Sequence, residues 1–203
     1  MTLRKNQIYF TVLFLVVFGL LPTVAEEASP RHTVDTLLSS ISNLKTDKQL
    51  SPTELKTNES LSHRALALLD LQEVSRKALG KHWKKRTATE KKRFVDLLGR
   101  MFIKEAFPNS GKFFSTLELV YGQTIIKKSK ASVPLTVIHE KEGEIDIDFH
   151  LHKNHGQWKV VGVDLDEISM GNNLRSQFYR IISKNDYREL VRRMEERLTK
   201  TKS

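Results

Sequence analysis

The side chains best spaced for chemistry lie in the run Glu144-Ile145-Asp146-Ile147-Asp148-Phe149-His150-Leu151-His152. In an extended strand alternate residues share a face, so Asp146, Asp148, His150 and His152 would stand in one row, roughly 7 Å apart. Carboxylates and imidazoles in a row can ligate a divalent metal or divide acid and base roles between them, so a small exported α+β enzyme using these four residues is one reading. The alternation itself argues for something plainer. Ile145, Ile147, Phe149 and Leu151 occupy the other positions without exception. A strand with one buried face must show polar residues on its other face. Neighbouring carboxylates on an open face also lack the burial that would split their pKa values. No catalytic residue, metal or cofactor is therefore expected from this strand.

Other signatures of catalysis are missing from the sequence: it has no Gly-rich phosphate loop, no Gly-x-Ser-x-Gly elbow and no His-Glu-x-x-His pair. Ser169 has no base near it in sequence, and a Ser in a turn is ordinarily a cap or turn former. Cysteine is absent, which removes disulfides, thiolate metal sites and an N-terminal lipid-modified Cys. Lys and Arg number 34 against 24 Asp and Glu, for a formal charge of +10. Such a surface favours anionic partners, whether nucleic acid, lipid head groups or acidic proteins. Trp83 among Lys81, Lys84, Lys85 and Arg86 is a basic patch with an aromatic. No nucleic-acid-binding motif accompanies it, so no nucleic-acid partner is expected.

The elements that hold these residues can be read in order. Arg4 and Lys5 precede the apolar run Ile8 to Leu21, which Pro22 ends before Thr23-Val24-Ala25. This is the pattern of a secretory signal peptide over residues 1–25, with cleavage after Ala25. The run is shorter than the roughly 20 apolar residues that a spanning helix needs. Losing Arg4 and Lys5 leaves 32 Lys and Arg against 24 Asp and Glu, a net +8. Residues 26–203, in a chain that is 39% hydrophobic, can fill one core, so a single domain is expected.

Val34, Leu37, Leu38, Ile41 and Leu44 have helical spacing. Ser51-Pro52-Thr53-Glu54 looks like a helix start, and a run rich in Leu and Ala continues from Leu61 to Leu79 before Gly80. Thr87 and Glu90 form a capping box for a helix with Phe94, Leu97, Leu98, Met101 and Phe102 on one face, and Pro108-Asn109-Ser110-Gly111 is expected to end it. The period then changes to two. Leu117, Leu119 and Tyr121 alternate, as do Val133, Leu135 and Val137, then the Ile145 to Leu151 series, then the strand opening at Trp158. Turns at Glu142-Gly143 and Asn154-His155-Gly156 join four strands into an antiparallel meander. Leu190, Val191, Met194 and Leu198 mark a closing helix over Asp186 to Leu198. Helices, a sheet and helices again make an α+β order.

The stretch Trp158 to Phe178 ties these parts together. Val161, Val163 and Leu165 have the period of a strand. After Gly171, Leu174, Phe178, Ile181 and Ile182 form a helical stripe, with Asn172 or Asn173 as its cap. Trp158, Lys159, Val160, Ile168, Ser169, Asn173, Arg175, Ser176, Gln177 and Phe178 resemble the C-terminal signature of the MlaC family, the toluene-tolerance family of periplasmic phospholipid-binding proteins. Gly162, Glu167 and Leu174 depart from it. Ala78-Leu79-Gly80-Lys81-His82-Trp83, Thr87 and Arg93-Phe94 resemble a second block of that family.

The resemblance implies N-terminal helices packed on a curved four-stranded antiparallel sheet with C-terminal helices, enclosing an apolar lipid pocket. Carried across by position, its walls would draw on Phe94, Leu97, Leu98, Met101 and Phe102 of the capped helix. The sheet would add Leu135, Val137, Ile145, Ile147, Phe149, Val161 and Val163, and the last stripe Leu174 and Phe178. The implied function is carriage of a diacyl phospholipid through the periplasm, with an outer-membrane lipoprotein complex and the MCE-domain ring of an inner-membrane ABC transporter as partners. A hopanoid-associated carrier of the same family is the neighbouring alternative. At ~0.8 kcal/mol per methylene, two chains of about fifteen carbons cost on the order of 20 kcal/mol to expose to water, which is why such a cargo needs a carrier.

Overall fold

The computed structural model describes residues 29–139 and 143–200. The expected signal peptide, and Glu142 of the expected Glu142-Gly143 turn, lie outside the described residues. Among the described residues there are seven α-helices and six strands, and no helix is long and apolar enough to cross a membrane.

Local chemistry starts several of the helices where the sequence suggests. Ser29 accepts the His32 N–H and opens α1, Pro30–Ser42. Ser51 and Glu54 close a capping box at the start of α2, Pro52–Ala67. The run from Leu61 to Leu79 is not one helix, however. The chain leaves α2 at Leu68 to pair with a strand: the Val160 N–H donates to the Leu68 carbonyl (2.9 Å), and the Asp70 N–H to the Val160 carbonyl (3.0 Å). Asp70 then caps α3, Leu71–Leu79. Leu/Ala periodicity carries no mark of a break whose cause is hydrogen bonding to a strand far along the chain. Gly80 ends α3 at φ +47°, where a Cβ would lie 2.3 Å from Tyr179 Oη.

After a 3-10 segment, Gly80–Lys85, the Thr87–Glu90 box opens α4, Ala88–Met101. The expected stop at Pro108-Asn109-Ser110-Gly111 does not occur. A π-helical turn, Phe102–Ala106, leads straight into α5, Phe107–Phe114. Pro108 lacks an N–H and in a regular helix would clash with the carbonyl four residues back. The wider turn, in which the Phe107 N–H reaches the Phe102 carbonyl, lets the helix pass over it. Gly111 does not break the helix but lets it approach α1, since a Cβ there would sit 2.2 Å from the Ile41 carbonyl oxygen.

The sheet is antiparallel in the order β1-β3-β4-β5-β6, with β2 also paired to β3. The four expected strands are β1 (Glu118–Tyr121), β3 (Lys130–His139), β4 (Gly143–Asn154) and β5 (Gln157–Leu165). The two not expected are β2 (Ile125–Lys127), exposed throughout, and β6 (Ile168–Ser169), two residues long. Neither has a buried face, so neither has an alternation to read. Between β4 and β5 the register shifts: His150 faces Gly162, Leu151 faces Val160, and Val161 is the extra residue of a bulge. Ser169, rather than Asn172 or Asn173, caps α6, Met170–Lys184. Asp186 caps α7, Tyr187–Thr199.

Two cores result. The first lies between α1 and the inner sheet face, where Val34, Val133, Leu135, Val137 and Ile147 are all but inaccessible and Phe107 reaches in from α5. The second gathers Leu79, Phe94, Leu97, Phe178, Leu190 and Met194 from α3, α4, α6 and α7.

Candidate functional site

A cavity of about 420 Å³ opens beside β5. The edge of that strand explains its position. Leu69 bridges to β5 at Val160 and β6 pairs with it only from Asp164 onward, so among the described residues Val161, Gly162 and Val163 have no neighbouring strand on the edge away from β4. Opposite stand Val74, Lys77 and Ala78 of α3, then Leu98 and Met101 at the end of α4, and Phe102, Glu105 and Ala106 of the π turn. Met170, Gly171, Asn173, Leu174 and Gln177, from the first turns of α6, complete the lining with Asn109 and Arg197.

The charged groups of this lining have partners within the protein. Arg197 Nε contacts Glu105 Oε2 at 2.6 Å, tying α7 to the π turn. Lys104 adds to this tie by donating to the carbonyls of Leu198 and Lys200. Lys77 Nζ donates to the Val161 carbonyl at 3.3 Å, meeting the acceptor that the bulge leaves outside the ladder. Burial holds the Lys77 ammonium below its usual pKa, and the Glu73 carboxylate offsets part of that. Apart from the amides Asn109, Asn173 and Gln177, what remains is apolar, a surface suited to a hydrocarbon chain and poor in groups that could activate a reacting bond.

The structure divides the residues carried over from the family. Leu98, Met101, Phe102, Val161, Val163 and Leu174 line the cavity. Leu135, Val137, Ile147 and Phe149 lie at 0 to 3% exposure in the first core, with Ile145 packed on its margin. Phe94, Leu97 and Phe178 belong to the second core, where Phe94 and Phe178 meet edge to face at 5.7 Å. Several lining residues escaped the sequence. Leu69, Val74 and Ala78 fall within the run from Leu61 to Leu79, whose Leu/Ala composition does not mark a wall. Met170 carried a usable signal: it is a large apolar residue beside the turn at Ser169, and 44% of its surface is exposed.

The polar row on β4 faces away from the core, as the alternation predicts, but hydrogen bonding takes up its side chains. Asp146 accepts from Thr136 Oγ1 at 2.8 Å and Asp148 from Ser132 Oγ at 3.3 Å. His150 Nε2 meets Asp164 Oδ2, and His152 Nε2 meets Asp70 Oδ2, each at 2.8 Å. Burial, the largest single influence on Asp70, pushes its carboxyl up. Hydrogen bonds from the Glu73 N–H, His152 and Asn154 together outweigh it and hold the group below the ordinary Asp range. Among the described residues no three His, Asp or Glu side chains converge as a metal ion's ligands would. Near the basic patch, the Lys91 ammonium lies 5.5 Å from the Trp83 ring centroid and the Lys81 ammonium 5.5 Å from that of Tyr179.

Comparison with known proteins bears on the fold and on the family. The search of curated proteins matched none. A solved phospholipid-binding protein from Ralstonia solanacearum, in complex with a phospholipid, superposes with a TM-score of 0.65 at 20% identity, covering 83% of this chain and 93% of that one. At that identity the likeness establishes the α+β fold. The MlaC protein family matches residues 31–196, nearly all of the described chain, on which ground the chain belongs to the MlaC family.

Proposed function

We propose that this protein is a carrier that takes a diacyl phospholipid into the cavity beside β5 and moves it through the periplasm without chemical change. The observation that carries the reading is the cavity itself: about 420 Å³ of mainly apolar space, partly open to solvent, in a chain of the MlaC family. A filled core of this size would have closed over such a gap, since voids in packed interiors are few and small. The Ralstonia protein of similar fold, solved with a phospholipid, supports the choice of cargo. The signal-peptide pattern over residues 1–25 supports export.

In this reading the protein shuttles lipid between the outer and inner membranes, sustaining the lipid asymmetry of the outer membrane. An outer-membrane lipoprotein complex and the MCE-domain ring of an ABC transporter exchange cargo with it. The cavity has only to match what the bilayer already offers a chain, so moderate net affinity suffices and cargo can be passed on. No residue acts as a catalyst.

Native mass spectrometry of the gently purified mature chain, followed by lipid extraction, tests the reading. A population carrying one added phospholipid mass is expected. A bare chain that also fails to take up phospholipid from vesicles would overturn it. Recovery of a polycyclic lipid in place of a diacyl one would turn the assignment to a hopanoid cargo.

A further inference from the structure

A second cavity, of about 390 Å³, lies on the other side of Lys77 from the apolar one. Its lining has a different chemistry. Arg76 and Lys77 enter from α3, Lys130 from the start of β3, and His150 and His152 from the outer face of β4. Lys77 and Val161 line both cavities, so the bond from Lys77 Nζ to the Val161 carbonyl is a partition between them. Glu73 is the acid in the lining, and Arg76 holds both of its oxygens, Nε at 2.7 Å and Nη2 at 2.6 Å. The imidazoles are turned by Asp164 and Asp70, each of which takes an Nε2. We infer that this polar cavity is a phosphate site, and that the phosphate it receives is that of the lipid whose chains fill the apolar cavity next to it. The inference rests on the carrier reading.

Arg76, Lys77 and Lys130 bring three cations to one space, with Glu73 among them and Asp70 and Asp164 behind the two imidazoles. Lys77 registers the crowding. Burial lowers its pKa most, Arg76 and Lys130 add to the depression, and Glu73 and Asp70 oppose it. An anion between these groups would relieve that repulsion. A guanidinium and two ammonium groups supply the charge-assisted donors that phosphate oxygens favour. The Glu73 bond occupies two of the five N–H groups of Arg76 and leaves the others available. Lys77 would exchange a neutral carbonyl acceptor for a charged one, which loosens the partition when a head group is present.

The test compares two cargoes with the same acyl chains, phosphatidylglycerol and diacylglycerol, in the wild type and in Lys130→Gln and Arg76→Gln. Neither substituted residue lines the apolar cavity. Retention of phosphatidylglycerol through gel filtration should fall roughly tenfold in each variant, the loss of about one charge-assisted hydrogen bond. Retention of diacylglycerol should not change. Equal loss of both cargoes, or loss of neither, overturns the head-group assignment. Titration with glycerol 3-phosphate, followed by NMR of the His150 and His152 rings, separates the two sources of phosphate. A saturable shift in the wild type, absent from the variants, with phospholipid retention unaffected would assign the site to a free phosphate ester. If the wild type retains neither lipid, the carrier reading fails, and the titration alone decides whether an anion binds.

Discussion

The two sides of the sheet's last full strand differ sharply. Toward β4, side chains of three neighbouring elements interlock, and Val133, Leu135, Val137, Ile147 and Phe149 are at most 3% exposed. Toward α6, residues just as apolar, among them Val163, Met101, Phe102 and Leu174, stand half-buried around empty space. Composition does not separate the regions; closure does. On the packed side each strand has a neighbour and α1 lies across them. On the open side β5 has no backbone partner among the described residues from Val161 to Val163, and the facing helix is widened by a π turn that also lines the cavity. An apolar stripe is thus necessary for both a core and a pocket and identifies neither.

The largest expected effect contrasts the two regions directly. Ile147→Ala, in the packed region, should cost about 2 to 5 kcal/mol in urea unfolding, the sum of lost burial and a new void. Met101→Ala borders a void already there and should cost less than about 2 kcal/mol in the lipid-free protein. Equal costs would break the distinction between core and wall.

Next comes the joint that holds the open side to the sheet. Asp70 caps α3 while binding His152 and Asn154, and its side chain is only 12% exposed. Asp70→Asn should cost about 1 to 3 kcal/mol near neutral pH. The folded carboxyl titrates below the ordinary Asp value of 3.8, so its contribution is complete above that value and is lost as pH falls through the lower folded-state value. Acid titrations of stability should therefore diverge between wild type and variant at neutral pH and converge below 3.8. Parallel curves throughout would remove this joint from the account.

The smallest expected change in stability is the most informative about the cavity. Val163→Trp would strain a filled core by about 1 to 3 kcal/mol. Facing the cavity, the indole can take space that a chain would occupy. Lipid content by mass spectrometry should fall, while the melting temperature of delipidated protein stays close to that of the wild type. A large loss of stability with unchanged lipid content would place Val163 in a conventional core.

Much of this structure was legible in the sequence because its signals are local. Ser51, Thr87 and Asp186 satisfy N–H groups within three residues of themselves. The alternation from Ile145 to Leu151 assigns each side chain to a face whatever the strand meets. The family follows from two short blocks, Ala78 to Phe94 and Trp158 to Phe178. The features that make the cavity have distant causes. Leu68 to Asp70 leave their helix to bond Val160, and the bulge at Val161 offers its carbonyl to Lys77. Periodicity states which face of an element is apolar. Whether that face meets a matching surface or a gap depends on elements brought from far along the chain, so the sequence determined the fold class and the family, and only the tertiary structure decided which apolar residues fill a core and which surround a space.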